Sequence, residues 1–234
     1  MTTLHYIFDP LCGWCYAAEP LVEAAREVSG LSVKFHGGGM LAGSNRRPVS
    51  PTWREHVTPH DLRIAELTGQ PFGTAYFDGL LYDTGAIMDS EPPTAAILAA
   101  DALGGRGLDV IGRLQRAHYV EGRRIADAGV LVELATELGI DGEKFRETFS
   151  QLLGDETFKH VAVSRNLLAK VGGQGFPTFA LEHDDGRFTK LDIRAWLGRP
   201  ESWKEHLASF IPASIPSAEG AEGGPVCGPD HCEV

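Results

Sequence analysis

The chain has 234 residues, 43% of them hydrophobic, and a formal net charge of −11. That length and apolar share fit one large packed domain, or one domain carrying an insertion, and exclude disorder over most of the chain. The negative charge argues against nucleic acid or an anionic membrane as main partner, and no apolar run approaches the roughly 20 residues of a membrane helix. Met1 to Tyr6 has neither the basic region nor the apolar stretch of a signal peptide. The expected location is therefore cytoplasmic, where cysteines rest mostly as thiols.

His5 to Phe8 is aromatic and β-branched enough to read as a strand, and Asp9-Pro10 ends it. Cys12-Gly13-Trp14-Cys15 follows. From Trp14 onward Ala17, Ala18, Leu21, Val22, Ala24, Ala25 and Val28 read as one helix, with Ser29-Gly30 as its stop. Cys12 thus stands where a strand hands over to a helix N-terminus, a place that favours an anion, and the thiolate is the nucleophilic form of cysteine. Cys15, one turn inside the helix, is placed to attack a mixed disulfide on Cys12 and release the product. Glu19, a further turn along, falls on the face of Cys15 and is a candidate proton shuttle. The same cysteine spacing also suits half of a zinc site, so the pair alone does not decide the chemistry.

Leu31 to His36 alternates apolar and polar and predicts a second strand, joined to the first in a right-handed β–α–β unit. Gly37-Gly38-Gly39 ends it, and with no Gly-Lys-Ser/Thr after it the run reads as a tight turn rather than a phosphate loop. Asn45 to Gly173 reads as helical throughout. Ser50 caps a helix through Leu67 that Pro59 would kink, and Pro71–Leu81 forms a short second one. Further helices open at Glu91 and span about 108–119, 128–138, 142–153 and 156–171. His56, His60, His118 and His160 show no metal-ligand spacing, and Arg46-Arg47 and Arg123-Arg124 read as solvated surface. Strand signals return at Thr178–Glu182 and Arg187–Leu191, joined by the turn His183–Gly186. A helix from Pro200 to Phe210 then closes the chain, with Trp203 and Leu207 facing the core. Residues 213–234 read as a flexible tail carrying Cys227-Gly228-Pro229-Asp230-His231-Cys232. Cys227 and Cys232 are there a candidate second redox pair, part of a metal site that with His231 has only three ligands and would need help from elsewhere such as Cys12 and Cys15, or an inert end.

Cys12-Gly13-Trp14-Cys15 after a first strand, with Glu19 and Pro20 behind it, resembles the DsbA-like branch of the thioredoxin superfamily. Within it the chain, from about Leu4 to Phe210, is similar to bacterial cytosolic proteins described as predicted disulfide isomerases, and more loosely to FrnE-like proteins. The resemblance implies an α/β thioredoxin fold with a large all-helical insertion. Its core would comprise residues 1–40 and 174–212, and its insertion residues 41–173. It also implies that Gly175-Phe176-Pro177-Thr178 is a cis-proline loop facing the cysteines, with Phe176 and Pro177 contacting substrate. X–Pro bonds are cis in only about 5–6% of cases, so sequence alone favours trans here.

The implied activity is thiol–disulfide exchange or isomerisation on proteins or small thiols, with glutathione or a thioredoxin system as further partners. Cys12 and Cys15 would be catalytic, Gly13, Trp14 and Glu19 supporting, and no cofactor or metal is expected. Two other classes stand beside it: a glutathione-dependent isomerase or kappa-like transferase, which generally carries serine at the position of Cys12, and a metal-binding or chaperone module.

Overall fold

The computed structural model describes residues 2–211. Among these, four strands form a sheet in the order β2-β1-β5-β6: β1 (Thr2–Phe8), β2 (Leu31–Gly37), β5 (Thr178–Glu182) and β6 (Phe188–Leu191). β1 and β2 run parallel, with Tyr6 opposite Phe35, while β1–β5 and β5–β6 are antiparallel. β1 is buried along its whole length, which explains why its sequence is aromatic and β-branched without polar alternation. Tyr6 and Phe8 point into the larger core with Phe179, Leu181 and Trp203. Ile7 packs on the other face with Ala180 and Val171.

The segment read as one helix is two, α1 (Gly13–Ala17) and α2 (Glu19–Arg26). Pro20 lies in the first turn of α2, where a missing N–H costs nothing, so the break falls at Ala18. The block between β2 and β5 contains α3 (Pro51–Thr68), α4 (Glu91–Gly104), α5 (Gly107–Tyr119), α6 (Ala128–Glu137), α7 (Gly142–Leu152) and α8 (Asp155–Lys170). Ser50 caps α3, its Oγ accepting from Trp53 N at 3.1 Å, and the helix runs on past Pro59.

Two expectations for this block change. It is not helical throughout, because β3 (Arg47–Pro48) and β4 (Ile87–Met88) pair as a short antiparallel ribbon. Nor is Pro71–Leu81 a regular helix. The chain there makes a π-turn over Ala75–Gly79 and a 3₁₀ turn over Leu80–Tyr82. Its entry is tied to the end of α5, Gly73 N donating to Tyr119 O at 2.9 Å. The final helix, α9 (Pro200–Ala208), lies on α2, where Trp203 Nε1 donates to Leu21 O at 3.1 Å.

The paired-arginine segments are held at the surface. Arg123 pairs with Glu133 and Glu137, and Arg124 with Asp83. Cys227 and Cys232, with the tail that carries them, lie outside the described residues.

Candidate active site

Cys12 stands at the N-terminal boundary of α1 in an extended conformation, and its carbonyl accepts from Cys15 N at 2.9 Å and Tyr16 N at 3.1 Å. Those bonds begin the helix and place Cys15 one turn in. Both cysteines are free thiols. Cys12 retains 7% of its surface and Cys15 none, so only the first can meet an incoming disulfide. Burial pushes the Cys15 thiol well above the ordinary cysteine range; the hydrogen bond with Cys12 and its charge push the same way.

The loop before β5 meets the pair from the opposite side. The Phe176–Pro177 peptide is cis, as the resemblance implies. Phe176 O lies 3.5 Å from Cys12 Sγ. Backbone from the loop after β2 and a side chain from α8 hold this arrangement. Arg165 donates through Nε to Gly38 O at 2.8 Å and through Nη2 to Gly39 O at 3.0 Å, and its guanidinium sits 5.9 Å from the Phe176 ring centre. The ring lies so close to Gly38 that a Cβ there would meet it at 2.1 Å. The glycine run of the sequence thus serves close approach, at Gly38 to Phe176 and at Gly37 to Thr94 of α4.

Beneath the motif, Asp9 is fully buried and accepts three hydrogen bonds: from Leu11 N at 2.9 Å, Ser90 Oγ at 2.8 Å and Met40 N at 2.5 Å. Burial raises its carboxyl, and these donors oppose that rise. Its own N–H donates to Cys15 Sγ at 3.5 Å. In the sequence Asp9 reads only as a strand breaker. The fold makes it the tie between β1, the loop after β2 and the start of α4.

A cavity of about 180 Å³ opens beside Cys12, lined among others by Trp14, Met40, Trp53, His56, His60 and Asp61. The structure therefore brings Cys12, Gly13, Trp14, Cys15, Phe176 and Pro177 together. Glu19 lies against α5: a Cβ on Gly112 would stand 3.0 Å from its Oε1, and it lines a second cavity with Glu23, Arg26 and Gln70. Burial, then the charge of Glu23, raises the Glu19 carboxyl there. His160 accepts from Gly37 N at 3.0 Å, and His118 is buried. Among the described residues no group of three or more His, Cys, Asp or Glu could hold a metal ion. None of their helices is long and apolar enough to cross a membrane.

Comparison with solved structures gives the cytosolic disulfide reductase DsbM from Pseudomonas aeruginosa, 56% identical with a TM-score of 0.85, covering 89% of this chain and 98% of that one. DsbM with GSH matches at 54% identity and a TM-score of 0.83 over the same shares of the two chains. A candidate protein disulfide isomerase from Nitrosomonas europaea is 28% identical with a TM-score of 0.72, over 89% and 96% of the two chains. Among curated proteins, the ClpXP adapter protein SpxH of Halalkalibacterium halodurans is 23% identical over 62% of this chain, which spans 47% of that relative's length. The DSBA-like thioredoxin domain matches residues 3–202, a span that runs from β1 through the cysteine pair and the cis-proline loop into α9. By that match and by its fold, the chain belongs to the DSBA-like thioredoxin domain family.

Proposed function

We propose that this protein is a cytosolic thiol–disulfide oxidoreductase acting in the reducing direction, with Cys12 as nucleophile and Cys15 as resolving thiol. The observation that carries the reading is the facing pair: a Cys12 that keeps a small part of its surface, with Phe176 O and cis-Pro177 opposite it, and a sealed Cys15 one turn further on. Cys12 attacks one sulfur of a bound disulfide and releases the other half as a thiol. The raised Cys15 keeps its proton until the mixed disulfide forms beside it, then attacks Cys12 and frees the second half. Substrate backbone lies along Phe176 as an added strand. Two molecules of a thiol such as glutathione return the pair to its reduced state. The likeness to DsbM, named a cytosolic disulfide reductase and known with GSH, supports both the direction and the co-substrate. A thioredoxin system as alternative reductant, and exchange with Cys227–Cys232, remain part of the proposal.

The test is single-turnover oxidation of the reduced enzyme by glutathione disulfide, and turnover of a reducible protein with glutathione as reductant. Cys12→Ser abolishes turnover, whereas Cys15→Ser accumulates a mixed disulfide visible by mass spectrometry. Turnover persisting in Cys12→Ser overturns the assignment.

A further inference from the structure

One buried acid at the cysteine pair has no part in the chemistry above. Asp61, on α3, is 3% exposed, and Tyr76 Oη donates to its Oδ2 at 2.7 Å. Its other oxygen rests on the motif: a Cβ on Gly13 would lie 2.6 Å from Asp61 Oδ1. Asp61 and Cys12 line the same cavity, beside the Cys12 sulfur that faces Phe176 O. Among the described residues no lysine, arginine or histidine forms an ion pair with it within 4.0 Å. An uncompensated carboxyl in such a place costs stability, and an amide would accept the Tyr76 bond equally well. Its acidity is what the site retains.

Resting on the exchange reading, we propose that Asp61 donates the proton to the thiolate that departs when Cys12 opens a substrate disulfide. The Cys12 thiolate attacks R–S–S–R′, the Cys12–S bond forms, the S–S bond breaks, and R′S⁻ leaves with its electron pair into the cavity. The Asp61 carboxyl gives that sulfur its proton, so R′SH departs and a carboxylate stays. When Cys15 attacks the mixed disulfide its own proton ends on RSH, and Asp61 regains a proton from solvent. The pair has given two electrons, and two molecules of external thiol restore them.

Burial raises Asp61 to about 7, with the Tyr76 hydrogen bond opposing the rise, so both protonation states are populated near neutrality. The titratable groups around it are Tyr76, Tyr119 of α5 and Cys12, with His56 and His60 of its own helix at the cavity wall and His118 packed against Tyr76.

The experiment compares full-length wild type, Asp61→Asn and Tyr76→Phe on two disulfides. One releases an acidic aromatic thiol that needs no proton; the other is glutathione disulfide, whose alkyl thiolate does. Both are read as single turnovers of the prereduced enzyme, whose second-order rate constant stands for kcat/KM. Asp61→Asn is expected to lower kcat/KM on the alkyl disulfide about 100-fold more than on the aromatic one. It also removes the falling limb near pH 7 from the alkyl profile, and Tyr76→Phe, which keeps the carboxyl but loses the opposing bond, moves that limb upward. Equal losses on both substrates, or an alkyl profile unchanged in Asp61→Asn, overturn the proposal. Wild type inactive on both disulfides would instead overturn the exchange reading itself.

Discussion

Single residues set the distances on which this site depends. Gly13 permits the approach of α3, Gly38 permits that of the Phe176 ring, and a methyl group at either place meets atoms well inside contact distance. Because the Phe176 ring is only half-buried, Gly38→Ala is accommodated by swinging it outward, which moves the substrate loop relative to Cys12. The expected outcome is a loss of roughly 10- to 100-fold in kcat/KM with little change in Tm, checked by single-turnover oxidation with glutathione disulfide beside a thermal melt. Asp61 also leaves a mark on stability. Its carboxyl rises from 3.8 to about 7 on folding, so the folded state binds that proton more tightly than the unfolded chain does. The resulting stabilisation is complete below the unfolded value and is lost as pH rises through about 7, at most roughly 4 kcal/mol. Asp61→Asn lacks that slope. Urea unfolding at pH 5 and pH 8 is therefore expected to show the variant gaining on wild type at the higher pH, and a constant difference would refute the shift.

At the scale of elements, α3 and α8 matter more than their distance from the cysteines in the sequence suggests. α3 covers the motif through Asp61 and Ile64, and α8 fixes the glycine loop and Phe176 through Arg165. The start of α3 depends on the Ser50 hydroxyl, which satisfies an N–H with no partner inside the helix. Ser50→Ala is expected to cost about 1 kcal/mol in urea melts, leaving the cysteine chemistry intact. α1 and α2 show the reverse dependence. Their division falls just before Pro20, which sits in the first turn of α2, and the second helix starts four residues after Cys15.

Over the whole molecule, the sheet is enclosed between α8 on one face and α2 with α9 on the other. Trp203 closes the second layer: fully buried, it meets Phe179 edge-on at 5.9 Å and bonds to α2. Trp203→Ala is expected to lower unfolding free energy by about 3–5 kcal/mol, measured by urea denaturation of the reduced protein. Because its hydrogen bond goes to Leu21 of α2 and not to the motif, folded variant molecules are expected still to exchange disulfides.

The sequence by itself determined the features that rest on neighbours along the chain. The strand–motif–helix junction, the capped start of α3, the hairpin before β6 and the cysteine spacing are all short-range. Near-invariant local rules govern them: backbone hydrogen-bonding needs at helix ends, proline's missing N–H, and the turn preferences of Asp and Gly. The cis form of Phe176–Pro177 came from resemblance alone, since local energetics favour trans. Tertiary structure decided which charged side chains surround the cysteines and their loop. Asp9, Asp61 and Arg165 come from a strand end, α3 and α8, and nothing in their local sequence marks them for that place. Glu19 shows the opposite case. One continuous helix would put it on the same side as Cys15, yet the chain breaks at Ala18 between them, and its carboxylate lies against Gly112 of α5. Periodicity fixes the direction of a side chain from its own helix; what it meets there depends on elements distant in sequence.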